Sequence, residues 1–188
     1  VNTTVKDCDI QVQESPVEKL PFEENSFDVC TAYALLHHLH EIHPVLAEAH
    51  RVLRSGGVLY TDLAPNASYW HMLKSLNAKS EHSELIRREL NAISGKDQEI
   101  ATKFGLDLGT VQLAEHWMHL ENGFDASTLE AAFSRAGFHS VKIIYHWFMG
   151  EAILIHDPAA AGYLDGLRDY LQQMKPVTVN LFKYLGVI

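Results

Sequence analysis

Between residues 10 and 63 the hydrophobic pattern changes period in a fixed order, and that order constrains the fold more than any other feature. Ile10-Gln11-Val12-Gln13-Glu14 alternates apolar and polar residues, which predicts a short strand. Ser26 to Tyr33 is β-rich and nearly continuous in apolar character, as a buried parallel strand would be. From Ile42 to Leu53 the apolar residues Val45, Leu46, Ala49, Val52 and Leu53 recur at three-four spacing, one face of a helix. Gly56-Gly57 is expected to end that helix, and Val58 to Leu63 reads as the next strand. Strands alternating with a helix imply a parallel sheet with crossover connections, so the expected class is α/β.

The remainder is mostly helical in spacing. Tyr69–Leu76, Ser83–Ile93, Lys96–Phe104 and Val111–Leu120 each show it, with Gly95, Gly105 and Gly109 as expected breaks. Residues 66–122 therefore read as a helical insertion. Ser127-Thr128-Leu129-Glu130 is a capping-box pattern, with Leu129, Ala132, Phe133 and Ala136 on the buried face and Gly137 at the C-cap. Val141–Phe148 and Glu151–His156 are expected as an antiparallel pair joined at Met149-Gly150. Residues 159–188 are expected as a helical tail interrupted at Pro176. All of this forms one expected domain over residues 1–188.

Charge and composition exclude several classes. Lys+Arg is 15 against Asp+Glu 24, a net charge of −9, so there is no bulk attraction for phosphate backbones and no nucleic-acid partner is expected. No apolar run approaches the ~20 residues of a membrane span, and no membrane partner is expected. Cys8 and Cys30 are too few for a disulfide framework and fit a reducing, cytoplasmic compartment.

Three runs carry a resemblance: Glu18 to Val29 (EKLPFEENSFDV), Leu35-Leu36-His37-His38-Leu39, and Arg51 to Gly57 (RVLRSGG). In this order and spacing they resemble class I S-adenosylmethionine-dependent methyltransferases, closest to the small-molecule group that includes the ubiquinone/menaquinone-biosynthesis enzymes. Ala136-Gly137-Phe138 before a strand pair agrees with the same family. The resemblance covers residues 10–65 and 124–157. It implies a Rossmann-like sheet, S-adenosylmethionine as cofactor and a small-molecule methyl acceptor. By the same resemblance Leu20-Pro21-Phe22 closes a loop beneath the sheet, and Asp28 starts the fourth strand of the family.

The family holds its cofactor with a glycine-rich GxGxG turn after its first strand and an acidic residue after its second. No GxG occurs in the 188 residues. Too few residues precede Ile10 for the strand-helix-strand unit of about 30 residues that the family places there. The resemblance thus implies an amino-terminally truncated methyltransferase, lacking the first two strands, that binds its cofactor poorly. The other reading is a non-catalytic binding or scaffold domain that kept the fold and lost the site. Loss of the first strand would also leave Phe27–Tyr33 as an exposed edge. Two outcomes would satisfy that edge, pairing with Ile10–Glu14 or a homodimer, and the homodimer is favoured.

The cofactor contacts that the resemblance implies are Pro16 and Val17 at the adenine edge and Tyr33 near the methionine part. Proline offers no side-chain acceptor, which leaves the Val17 N–H as donor. His37 and His38 fall where the family's fourth strand turns toward its helix, at the mouth of the acceptor pocket. His38 is the expected base for a hydroxyl or acidic-carbon acceptor. Tyr69, Trp70 and His71, with His116, Trp117 and His119, are expected to wall that pocket. The chain has 12 histidines, and His37, His38, His40 and His43 cluster. No HExxH or CxxC spacing accompanies them, so no metal is expected.

Overall fold

The computed structural model describes residues 9–76, 81–119 and 121–188, with the side chains of residues 92–96, 118 and 119 outside the description. Cys8 and Leu120 lie outside the described residues, as does the side chain of His119. Among the described residues, four strands form one sheet: β1 (Phe27–Tyr33), β2 (Leu53–Pro65), β3 (Ile143–Phe148) and β4 (Phe182–Val187), in the order β1-β2-β4-β3. β1 runs parallel to β2, and β4 lies antiparallel to both of its neighbours. The α/β reading holds.

The crossover from β1 to β2 passes through a 3-10 turn (Leu36–His38) and helix α1 (His43–Val52). Pro44 sits in the first turn of α1, where its missing N–H is not needed. The helix ends at Val52, one step before the chain becomes extended, and the glycines fall inside β2 instead. Gly57 is required there by close approach. A Cβ on it would meet the Arg54 carbonyl at 2.9 Å and the Asp28 carbonyl at 3.1 Å. The bulge in the β1–β2 register between Phe27 and Val29 is held by Arg54, whose guanidinium makes two 2.8 Å bonds to the Asp28 carboxylate.

After β2 come α2 (Ala67–Ser75), α3 (Glu84–Phe104), α4 (Leu108–Ala114) and the single turn α5 (His116–His119). Asn66 caps α2, accepting from the Ser68 N–H at 3.2 Å, while its amide donates to the carbonyls of Val179 and Phe182 at 2.7 Å each. Gly105 ends α3 in the left-handed region at φ 65°. Gly95 does not break the helix. α3 runs through it, since an internal glycine costs only about 1 kcal/mol against alanine, which flanking residues offset. α6 (Ala126–Arg135) follows, with Asp125 rather than Ser127 at the N-cap position and no side-chain capping bond from it.

Three other expectations are corrected. Ile10–Glu14 forms no strand and pairs with nothing in the sheet. Glu151–His156 is not a strand either. Gly150 turns at φ 85° into the short helix α7 (Glu151–Leu154), and the buried Glu151 carboxylate accepts the Phe148 N–H at 3.0 Å. The partner of β3 comes from the tail, which continues through α8 (Leu164–Gln173) and α9 (Lys175–Thr178) and then becomes β4, not helix. β4 fits because Gly186 admits the His146 ring, which would stand 2.7 Å from a Cβ.

The main core joins Leu36, Leu46, Leu53 and Leu59 to Phe124, Leu129, Phe133 and Leu185, so α1, α6 and the sheet share one apolar interior. Leu36 is thereby a fixed anchor for the two histidines that follow it.

Candidate functional site

β1 delivers Tyr33 to its carboxyl end, opposite Asp62 of β2. Ala34 then adopts φ 51°, and its N–H donates to the Asp62 carbonyl at 3.3 Å. That sharp turn throws the chain into the 3-10 turn. Leu36 plunges into the core, His37 is buried behind it, and His38 emerges exposed. α5 packs against this turn, bringing the end of α4 with it.

The junction of α4 and α5 supplies the partners. His38 Nδ1 lies 2.6 Å from the Ala114 carbonyl oxygen. A carbonyl can only accept, so Nδ1 carries the proton and the lone pair of neutral His38 sits on Nε2. His37 Nε2 lies 3.4 Å from Glu115 Oε2, and the two histidine rings are 4.0 Å apart. The His116 ring meets that of His40 at a tilt, 4.5 Å between centroids, and approaches Glu121 at 3.7 Å. Trp117 stacks on Phe124 at 4.1 Å, which ties the junction to the main core.

The neighbouring polar groups come from β2 and β4. Tyr60 donates its hydroxyl to Asp62 at 2.7 Å, and burial followed by this bond pushes its pKa up to about 12. Asp62 also accepts the Leu63 N–H at 2.7 Å and lies 3.8 Å from His146. Tyr184 on β4 is held protonated by burial first, and then by the charges of Glu115 and Glu89. Glu89 accepts from Tyr69 at 3.0 Å and pairs with Lys183 at 2.6 Å.

The residues expected from sequence are distributed unevenly. His37 and His38 are together. Tyr33 is 70% exposed at the end of β1. Pro16 is exposed, and its carbonyl accepts the Lys19 N–H at 3.1 Å. Val17 is half-buried and lines an apolar cavity of about 320 Å³ with Phe22, Phe27, Cys30 and Ala49. Tyr69 and Trp70 are buried in a cluster with Leu73, and His71 points to solvent. Glu115 and Tyr184 were not singled out by sequence. Glu115 carries no motif, and Tyr184 lies in a strand that reads as helix.

Of the residues expected to meet S-adenosylmethionine, Val17 lines the apolar cavity and Tyr33 stands exposed at the end of β1, outside that lining. The ribose and methionine ends need a free carboxylate and a glycine cradle, and Asp62, the carboxylate at the strand end, is engaged by Tyr60 and Leu63. The described residues thus do not hold the whole cofactor.

Residues 1–61 match the family model described as a methyltransferase domain. A 76-residue stretch is 43% identical to the phthiotriol/phenolphthiotriol dimycocerosates methyltransferase 1 of Mycobacterium ulcerans (strain Agy99), covering 40% of this chain. The match spans 28% of that relative's length. Among solved structures, a Thermotoga maritima S-adenosylmethionine-dependent methyltransferase, described as a possible histamine N-methyltransferase, aligns over 95% of this chain and 62% of its own, with a TM-score of 0.46 at 15% identity. A Mesorhizobium loti S-adenosylmethionine-dependent methyltransferase aligns over 93% and 67%, with a TM-score of 0.47 at 15% identity. The similarity to a methyltransferase domain is thus carried by residues 1–61.

Proposed function

We propose that the chain forms the acceptor side of a methyl transfer from S-adenosylmethionine to a small-molecule hydroxyl. The observation that carries this is the tautomer of His38. Its Nδ1–H is committed to Ala114, so an exposed Nε2 lone pair stands at the carboxyl end of β1. Ligands of open α/β sheets bind at that end of the strands.

Bound there, the cofactor would supply an activated methyl group on a sulfonium. The residues of this chain would position the acceptor and take its proton. His38 Nε2 accepts the hydroxyl proton as the oxygen becomes nucleophilic, an effect worth about 10²–10⁴-fold in rate. The Ala114 carbonyl steadies the imidazolium that forms. His37 and Glu115 fix the turn that carries it. Tyr33 and Val17 cover part of the adenine and methionine ends, and Pro16 shapes the loop. Tyr69 and Trp70 are buried in their own cluster, and His71, exposed to solvent, is the member proposed to meet the acceptor.

The rest of the cofactor site is proposed to lie outside the described residues. A homodimer through β1 and a cytoplasmic location complete the reading. In the structure β1 has β2 as its strand neighbour on one side, and no described helix is long and apolar enough to cross a membrane. The missing glycine turn favours one rival, a binding domain without catalysis.

The test uses the full open reading frame that contains the chain. It is incubated with methyl-labelled S-adenosylmethionine and phthiotriol or phenolphthiotriol dimycocerosates, the compounds in the relative's name, and then with simpler alcohols. Acceptor-dependent label in the product supports the reading. Cofactor binding without transfer to any acceptor supports the rival.

A further inference from the structure

We propose that His37, His38 and Glu115 form a binding site for a divalent transition-metal ion of the zinc class. One donor atom from each of these side chains lies within 4.8 Å of the others. They come from two separate segments, the turn after β1 and the end of α4.

The distances suit a small cation. Metal bonds of about 2.0–2.1 Å at tetrahedral angles place two ligand atoms about 3.4 Å apart. His37 Nε2 and Glu115 Oε2 stand at 3.4 Å already. The donor atom of His38 lies within 4.8 Å of both. Two imidazoles and one carboxylate are the donor set that zinc, cobalt and nickel prefer over magnesium or calcium.

The surroundings match how metal-binding histidines are held. A ligating imidazole usually donates its other N–H to a carbonyl or carboxylate, which fixes the ring and its tautomer. His38 does this with the Ala114 carbonyl at 2.6 Å. The two ring centroids stand 4.0 Å apart, close enough for one ion to reach both imidazoles and the carboxylate. Three protein ligands leave a fourth position for water or an acceptor oxygen.

Sequence spacing conceals the site because Glu115 is far along the chain from the histidines. Binding is read on the chain alone, so its measurement stands apart from any assay of methyl transfer. The two roles of His38 draw on one Nε2 lone pair, so bound metal would displace it from proton transfer.

The 188-residue chain is stripped with a chelator and titrated with cobalt(II), then with zinc(II). The expected result is one ion per chain, with cobalt d–d bands of an N/O site that zinc abolishes. His38→Gln and Glu115→Gln should each weaken zinc binding by more than about 100-fold, the upper range for losing a mere supporting contact. His139→Ala and His156→Ala, both exposed and elsewhere, should leave it unchanged. Circular dichroism confirms that each variant is folded. Because His38 is exposed, His38→Gln keeps the test valid even if Glu115→Gln unfolds. Absence of cobalt bands overturns the proposal. So does binding that survives His38→Gln, which would assign the ion to other histidines.

Discussion

The His38 imidazole donates to the Ala114 carbonyl at 2.6 Å, across a sequence separation of 76 residues. That bond joins the strand and turn in the first third of the chain to the helices that follow β2. It decides which ring nitrogen is basic, and it makes the α4–α5 junction part of the site.

Cofactor affinity is the first prediction. Among the described residues Val17 lines an apolar cavity and Tyr33 is exposed apart from it, and the Asp62 carboxylate at the strand end is engaged by Tyr60 and Leu63. Calorimetry on the 188-residue chain should find no saturation at micromolar cofactor. Micromolar affinity would show that these residues hold the ligand unaided.

Acid sensitivity is a second. Glu48 accepts the Leu20 N–H at 2.7 Å and pairs with Arg51 at 2.7 Å, and Arg51 also donates to the Phe22 carbonyl at 2.9 Å. The Arg51 guanidinium first, and the Leu20 N–H with it, hold the Glu48 pKa down to about 2 from 4.5. A folded pKa below the unfolded one gives stability that is present above the unfolded value and lost as pH falls toward the folded value. Between about pH 5 and about pH 3 the urea midpoint should therefore fall more in the native chain than in Glu48→Gln. Equal falls would mean that the pair contributes nothing to closing the 20–22 loop.

Gly123 supplies a third. It sits at φ 93°, where a Cβ would lie 2.7 Å from the Pro65 carbonyl and 2.8 Å from the Ala67 nitrogen. Those contacts are backbone and cannot rotate away. Gly123→Ala should lower stability by about 1–3 kcal/mol from overlap alone, with the positive φ adding to it. A denaturant midpoint equal to the native one would contradict the close packing of Phe124 against the end of β2.

Much of this fold is readable from hydrophobic period. β1, α1, β2, α6 and β3 appear where alternation and three-four spacing predict them, because each buries one face in a shared core. The errors have physical causes. Ile10–Glu14 alternates, yet Ile10 and Val12 are 79% and 94% exposed, so alternation without a surface to cover did not make a strand. Glu151–His156 looked extended, but the buried Glu151 carboxylate and the left-handed Gly150 turn it into helix. Phe182–Val187 is a strand because of distant neighbours, Ile143–Phe148 and Pro65, which local spacing cannot report. At the site, His37 and His38 stand out by adjacency, whereas Glu115 and Tyr184 become visible only once the chain is folded.

A fourth prediction is self-association through the β1 edge. β1 exposes Val29 at 59% and Tyr33 at 70%, and Ile10–Glu14 does not cover it. An uncovered strand edge pairs readily with another. Light scattering at low concentration should return a dimer, and Val29→Lys should return a monomer. A native chain that stays monomeric and folded would leave the edge without a partner of its own kind.

The central claim is that His38 acts on the acceptor during methyl transfer. The direct measurement is steady-state kinetics of His38→Ala in the full open reading frame, alongside calorimetry for S-adenosylmethionine. The account predicts a kcat lowered about 10²–10⁴-fold with the cofactor Kd unchanged, since the lost group acts in the transition state. An unchanged kcat, or a loss confined to cofactor affinity, would contradict it.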